Sequence, residues 1–114
     1  MKRAGVLVVL LLSACKNDAG PVAEVNPEKL YTQMCARCHG VDGKGDPQIA
    51  QMMPVRDLTS PQVQSRPTED LERVVMMGQN QMPAFGESLS PRKIQAVLGH
   101  VKRLGRQAAP PASP

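Results

Sequence analysis

Three residues whose chemistry belongs together stand in one short run, Cys35-Ala36-Arg37-Cys38-His39. Cys-x-x-Cys-His is the attachment pattern of c-type haem: two thiols become thioethers on the porphyrin's vinyl groups, and the neighbouring imidazole binds the iron. On a helix, positions three and four apart share a face. Cys35, Cys38 and His39 are therefore placed to meet one flat cofactor. A zinc site needs four nitrogen or sulfur ligands at paired spacings, and only Cys15 and His100 remain to complete one, both distant in sequence. A thiol-redox pair calls for a βαβ context, and no strand pattern surrounds the run.

Opposite His39, the residue expected on the iron is Met82. It lies in Gln79-Asn80-Gln81-Met82-Pro83-Ala84-Phe85-Gly86, a stretch too polar and broken to be helical. Pro83 biases Met82 toward extended backbone and stiffens the loop that presents it. A neutral, soft thioether favours ferrous iron and raises the reduction potential. The rivals are Met52, Met53, Met76, Met77 and His100. Met76 and Met77 close an apolar helix, where methionine is usually packing. Met52 and Met53 precede a proline as Met82 does.

The third cysteine has a separate use. Met1-Lys2-Arg3 leads into the apolar run Ala4–Leu12, a secretory signal far shorter than the roughly 20 apolar residues that span a bilayer. It ends in Leu12-Ser13-Ala14-Cys15, which resembles the lipobox of bacterial lipoproteins, making Cys15 the lipidated first mature residue. An ordinary signal peptide with an unpaired Cys15 is the alternative. With Cys35 and Cys38 on haem and Cys15 on lipid, no thiol is left over in an oxidising compartment. More than one acyl chain makes anchoring stable, so the protein is expected to face the periplasm from a bacterial membrane. Lys16 in place of aspartate after Cys15 resembles the signal for outer-membrane delivery.

The segments sort accordingly into residues 1–14 as signal peptide, 15–25 as lipidated Cys15 and flexible tether, 26–105 as one domain, and 106–114 as a disordered Ala/Pro-rich tail. Signal removal takes away two of the 14 basic residues, Lys2 and Arg3, leaving 12 against 10 acidic and lowering the net charge from +4 to +2. Two haem propionates bring it near zero. The basic residues are scattered and Tyr31 and Phe85 are the only aromatics, so nothing points to nucleic acid. A domain of about 80 residues is marginal without a staple, and a large apolar cofactor supplies the core volume that so few aromatics cannot.

Three main helices must position these groups. The first has Asn26 as N-cap, Pro27 at its first position and Glu28 in its first turn, carries Leu30, Tyr31 and Met34 into the motif, and stops near His39-Gly40. Gly40–Asp46 reads as a loop. The middle of the chain reads as irregular, with a short helical turn at Pro61–Ser65. The second helix opens at Thr68, shows apolar Leu71, Val74 and Val75, and stops at Gly78. The third opens at Ser90-Pro91 with a stripe of Ile94, Val97, Leu98, Val101 and Leu104, and a solvated face of Arg92, Lys93, Lys102 and Arg103. No window alternates with a period of two, so the fold class is all-α. Asp42, Asp46, Asp57, Glu69, Asp70 and Glu72 read as solvated loop and cap residues.

On these residues the chain resembles a small bacterial class I monohaem cytochrome c, from about Glu28 to Leu104. The resemblance rests on Leu30-Tyr31 before Cys35-Ala36-Arg37-Cys38-His39-Gly40, then Asp42-Gly43-Lys44-Gly45-Asp46, Arg56-Asp57-Leu58-Thr59, Gly78, Met82-Pro83-Ala84-Phe85 and Leu89-Ser90. It implies a compact helical fold with first and last helices crossing, one covalently bound haem c with its edge exposed, and electron transfer with other redox proteins as the activity. It also implies a loop proline whose carbonyl orients the proximal imidazole, for which Pro47 and Pro54 both qualify. The chain departs at Pro27, where a small residue is usual, and at His100, where the last helix usually carries an aromatic. The contact of Tyr31 with that helix is thereby left open, and Gly99 is the residue expected to ease the crossing. With both axial positions filled, a monomeric electron carrier and not an enzyme is expected. The competing readings are a haem subunit of a larger complex, or a haem peroxidase or ligand sensor with a displaceable methionine.

Overall fold

A computed structural model describes residues 24–112. The signal segment, Cys15 and most of the tether lie outside the described residues. Among the described residues six helices follow in chain order: α1 (Pro27–Met34), α2 (Ala36–His39), α3 (Pro47–Met52), α4 (Pro61–Gln64), α5 (Thr68–Met77) and α6 (Pro91–Ala108). Among the described residues the only β-type pairing is an isolated bridge between Gln79 and Met82, and the fold is all-α as expected.

The capping residues explain where the helices begin. The Asn26 side chain accepts from Lys29 N at 2.9 Å, and that of Ser90 accepts from Lys93 N at 3.3 Å, each followed by proline at the first helical position. These satisfy amide donors that the first turn leaves without partners. At the other end of α5, Gly78 turns the chain at φ +73°.

Helix α6 is the spine. It packs against both α1 and α5, and its apolar stripe is wide enough to serve two neighbours. Ile94 and Leu98 join Val63, Leu71, Val75 and Leu89 in one cluster, while Val97, Val101 and Leu104 join Tyr31 in another. Tyr31, Ile94 and Val97 are the most deeply buried, and complete burial of a side chain of this size contributes about 1.5–3 kcal/mol. Leu30 and Leu58 touch both clusters, so α1 and the segment before α4 knit the halves together.

Three expectations need correction. The middle of the chain is not wholly irregular: Asp46 caps α3, its carboxylate accepting from Gln48 N and Ile49 N. α6 runs on to Ala108, so residues 106–108 of the expected tail are helical. Gly99 is not the close approach in α6: a Cβ there would meet nothing, whereas one on Gly105 would run into the Gln64 side chain.

Candidate haem-binding site

The motif sits on a single turn. The chain leaves α1 at Cys35, whose φ of −122° interrupts the helix, and resumes at once, with Cys38 N and His39 N both donating to Cys35 O at 3.2 and 3.0 Å. This keeps Cys35, Cys38 and His39 at the i, i+3 and i+4 positions that share a face. Neither Cys35 nor Cys38 is in a disulfide, and both are half-buried. Burial pushes the Cys35 thiol up to about 11, so it stays protonated in the bare polypeptide.

The turn is fixed from several sides. Gly40, at φ +74°, ends α2, and the loop beyond it folds back so that Gly45 N and Asp46 N donate to His39 O and Cys38 O at 2.8 and 2.9 Å. The Tyr31 hydroxyl donates to Gly40 O at 2.7 Å. Two otherwise open carbonyls at the helix end are thereby satisfied.

His39 is half-buried, and its Nδ1 lies 3.1 Å from the carbonyl oxygen of Arg56. A carbonyl can only accept, so Nδ1 carries the proton and Nε2 keeps its lone pair for a metal. Burial holds the imidazole below its ordinary pKa of 6.5, with the Arg56 carbonyl acting in the opposite direction. The neutral form is the one that ligates iron. The carbonyl that orients the ring thus belongs to Arg56 and not to Pro47 or Pro54. Any residue can offer a backbone carbonyl, so no side-chain type marked the position.

Met82 is held on a braced loop. Gln79 N donates to Met82 O at 3.1 Å and Met82 N to Gln79 O at 2.9 Å, closing a tight turn with Asn80 at φ +53°. Phe85 N and Gly86 N then donate to Val75 O and Met76 O at 2.9 and 3.0 Å, tying the loop to the end of α5. Gly78 permits the approach: a Cβ there would stand 2.7 Å from Met82 O. Helix termination is the use of this glycine visible in the sequence, and the close return of the loop is a second one.

Of the rival methionines, Met52, Met76 and Met77 are exposed at 69, 44 and 71 %, while Met53 is half-buried as Met82 is. Met82 is half-buried, against the same core cluster that Met34, next to Cys35, also touches. His100 is buried against Tyr31, with ring centroids 4.9 Å apart. Among the described residues no three His, Cys, Asp or Glu side chains gather as a bare-ion site.

These residues suit a haem. Two unpaired thiols and an imidazole with a free Nε2 share one turn, and a thioether is borne on a stiff loop. Leu30, Met34, Leu58, Met82 and Phe85 form an apolar fringe that neighbouring side chains cover only in part. That donor set matches covalent attachment through sulfur with nitrogen and thioether ligation.

The sequence model of the family described as cytochrome c oxidase, cbb3-type, subunit III matches residues 23–101. Among solved structures, one titled KustC0563 c-type cytochrome is similar, with a TM-score of 0.64 and 27% sequence identity over 70% of this chain and 98% of that one. A search of curated proteins found no match. With the family covering well over half of its length and the attachment residues in place on one turn, the chain belongs to this cbb3-type cytochrome c family and is a small monohaem c-type cytochrome carrying covalently bound haem c.

Proposed function

We propose that the protein is a lipid-tethered, periplasm-facing carrier of single electrons between respiratory redox partners, with Cys35 and Cys38 bonded to haem and His39 and Met82 as axial ligands. The observation that carries the reading is the His39 Nδ1 to Arg56 carbonyl contact at 3.1 Å, which fixes the tautomer and raises the basicity of the ligating nitrogen. Haem bound in this way supplies a reversible one-electron couple.

The polypeptide's task is to hold its ligands still. His39 is locked by Arg56, and Met82 is tied at both ends of its turn. Little rearrangement is then needed when the charge changes. The loop bracing favours a fixed Met82 over a displaceable one, and with both axial positions filled no open coordination site remains for peroxide, oxygen or substrate. That supports a carrier over a peroxidase or ligand sensor.

No helix among the described residues is long and apolar enough to cross a membrane. The lipobox-like ending at Cys15 supports attachment through lipid, to the outer membrane by the Lys16 criterion. A tether holds the carrier at high effective concentration near membrane-bound partners. The family description names an oxidase subunit, so association with a larger complex is tested alongside by purification from detergent-solubilised membranes.

The decisive experiment is an optical spectrum, in both oxidation states, of protein exported and matured in a competent host. Met82→Ala is expected to retain covalent haem on a denaturing gel while losing the methionine-ligated spectrum. An unchanged spectrum overturns the Met82 assignment, and rapid carbon monoxide binding by the ferrous wild type favours the sensor reading. Cys15→Ala is expected to move the protein from the membrane to the soluble fraction. Retention on the membrane sinks the lipoprotein reading.

A further inference from the structure

Gln64, the last residue of α4, is joined to more of the molecule than its place on a four-residue helix requires. Its side-chain Nε2 donates to Leu58 O at 2.7 Å and to Val101 O, in the middle of α6, at 3.2 Å. Its own carbonyl accepts from Lys102 Nζ at 2.7 Å. Room for the amide comes from Gly105, buried in α6, where a Cβ would collide with the Gln64 side chain. A glycine inside a helix is otherwise a poor choice.

What the amide holds is the segment that serves His39. Leu58 lies two residues beyond Arg56, and its N–H donates to Gly43 O at 2.7 Å. Within the segment, the Asp57 carboxylate accepts from Thr59 N and Oγ1, and Ser60 Oγ donates to Asp57 O. One side of the segment is thus fastened to the loop after the motif, and the other to α6 through Gln64. Arg56 O, between these fastenings, meets His39 Nδ1.

The structure assigns to Gln64 the role of a positioning residue, an amide clamp from α6 that sets the Arg56 carbonyl against the His39 imidazole. Its amide donates to the Leu58 and Val101 carbonyls and not to the imidazole. The clamp acts by keeping the hydrogen bond from Nδ1–H to Arg56 O made, which would make the imidazole a stronger donor to a bound iron and favour the ferric state. Slackening it weakens that donation, and the reduction potential rises. The assignment rests on the proposed ligation by His39.

The test compares holoprotein variants by reduction potential and by NMR of the axial imidazole. Gln64→Met keeps the length and loses both donors, and Gly105→Ala displaces the amide by a different route. Both are expected to raise the potential and to speed exchange of the His39 Nδ1 proton with water about fivefold, as for loss of one ordinary hydrogen bond. Asn26→Ala, which removes the side-chain cap of α1 and shares no partner with the clamp, is expected to lower stability while leaving both readouts at wild-type values. The clamp is refuted if Gln64→Met and Gly105→Ala leave exchange and potential unmoved, or if Asn26→Ala moves them equally. Should the wild-type spectra show no His39 ligation, the ligation reading fails first. With ligation seen and the variants silent, only the clamp fails.

Discussion

The rings of Tyr31 and His100 meet with centroids 4.9 Å apart and planes tilted by 46°. This contact joins α1 to α6, with the imidazole standing where an aromatic ring is usual. His100 Nδ1 lies 3.3 Å from Arg103 Nη2. A guanidinium only donates, so Nδ1 is the acceptor and the ring is neutral. Beyond Tyr31 the hydroxyl reaches Gly40 O, immediately after His39. The helix crossing and the haem turn are in this way parts of one contact chain.

The first expectation is a pH dependence of stability set by His100. Burial, and then the Arg103 guanidinium, hold the imidazole below its ordinary pKa of 6.5, while Glu28 opposes them from α1. The unfolded chain therefore takes up the proton at a higher pH than the folded one. Stability is complete above the unfolded value and falls as pH drops through 6.5 toward the folded value. The urea midpoint of the holoprotein should fall between about pH 7 and about pH 5, and less steeply in His100→Phe. Parallel pH profiles for the two proteins would rule this out.

Tyr31→Phe isolates the hydroxyl of a side chain that is only 1 % exposed. Gly40 O would lose the Tyr31 donor at 2.7 Å but keep Gly43 N at 3.2 Å. Because the carbonyl is not left bare, the cost should be about 1 kcal/mol, near that of one net hydrogen bond. Chemical denaturation of holoprotein measures it. A loss above about 3 kcal/mol would mean that the ring contact with His100 had gone as well.

The residues legible in the sequence were those whose type dictates their role. Asn26-Pro27 and Ser90-Pro91 announce helix starts, the apolar stripe from Ile94 to Leu104 announces a buried face, and Cys35 to His39 announces its chemistry. α3 was missed because Ile49 is only half-buried and Met52 is exposed, so no apolar period marks the segment. The Arg56 carbonyl was illegible because every residue carries one. Gly78 was read correctly as a stop, but its second use appears only when the chain folds back over it. His100 could be seen as a departure from the family, yet only the crossing shows it replacing one flat ring with another.

Asp46 offers a local test of the helix that periodicity did not reveal. Its Oδ1 accepts from Gln48 N at 2.9 Å and Ile49 N at 3.0 Å, while its own N–H donates to Cys38 O. Asp46→Ala removes the cap without touching the backbone bond and should cost about 1 kcal/mol. Asp46→Asn retains an acceptor and should recover most of it. Equal losses in the two variants would show that charge, not capping, is what the site requires.

Gly78→Ala should disturb Met82 without altering any side chain near it. The residue sits at φ +73° and ψ 169°, a region open essentially to glycine, where an L side chain costs roughly 1–3 kcal/mol. Its Cβ would also stand 2.7 Å from Met82 O and 2.9 Å from Ala84 N. Both obstacles are backbone atoms, so relief requires the loop itself to move, breaking the Gln79–Met82 pairing that presents the thioether. On the proposed ligation by Met82, the variant should keep covalently attached haem yet lose part or all of the methionine-ligated spectrum. Gly99→Ala is the matched control, since that glycine has open space around its Cβ position and should gain roughly 0.5–1 kcal/mol of stability from helix propensity. A Gly78→Ala protein with an intact methionine spectrum would show that the loop's close return over α5 is not what holds Met82 in place.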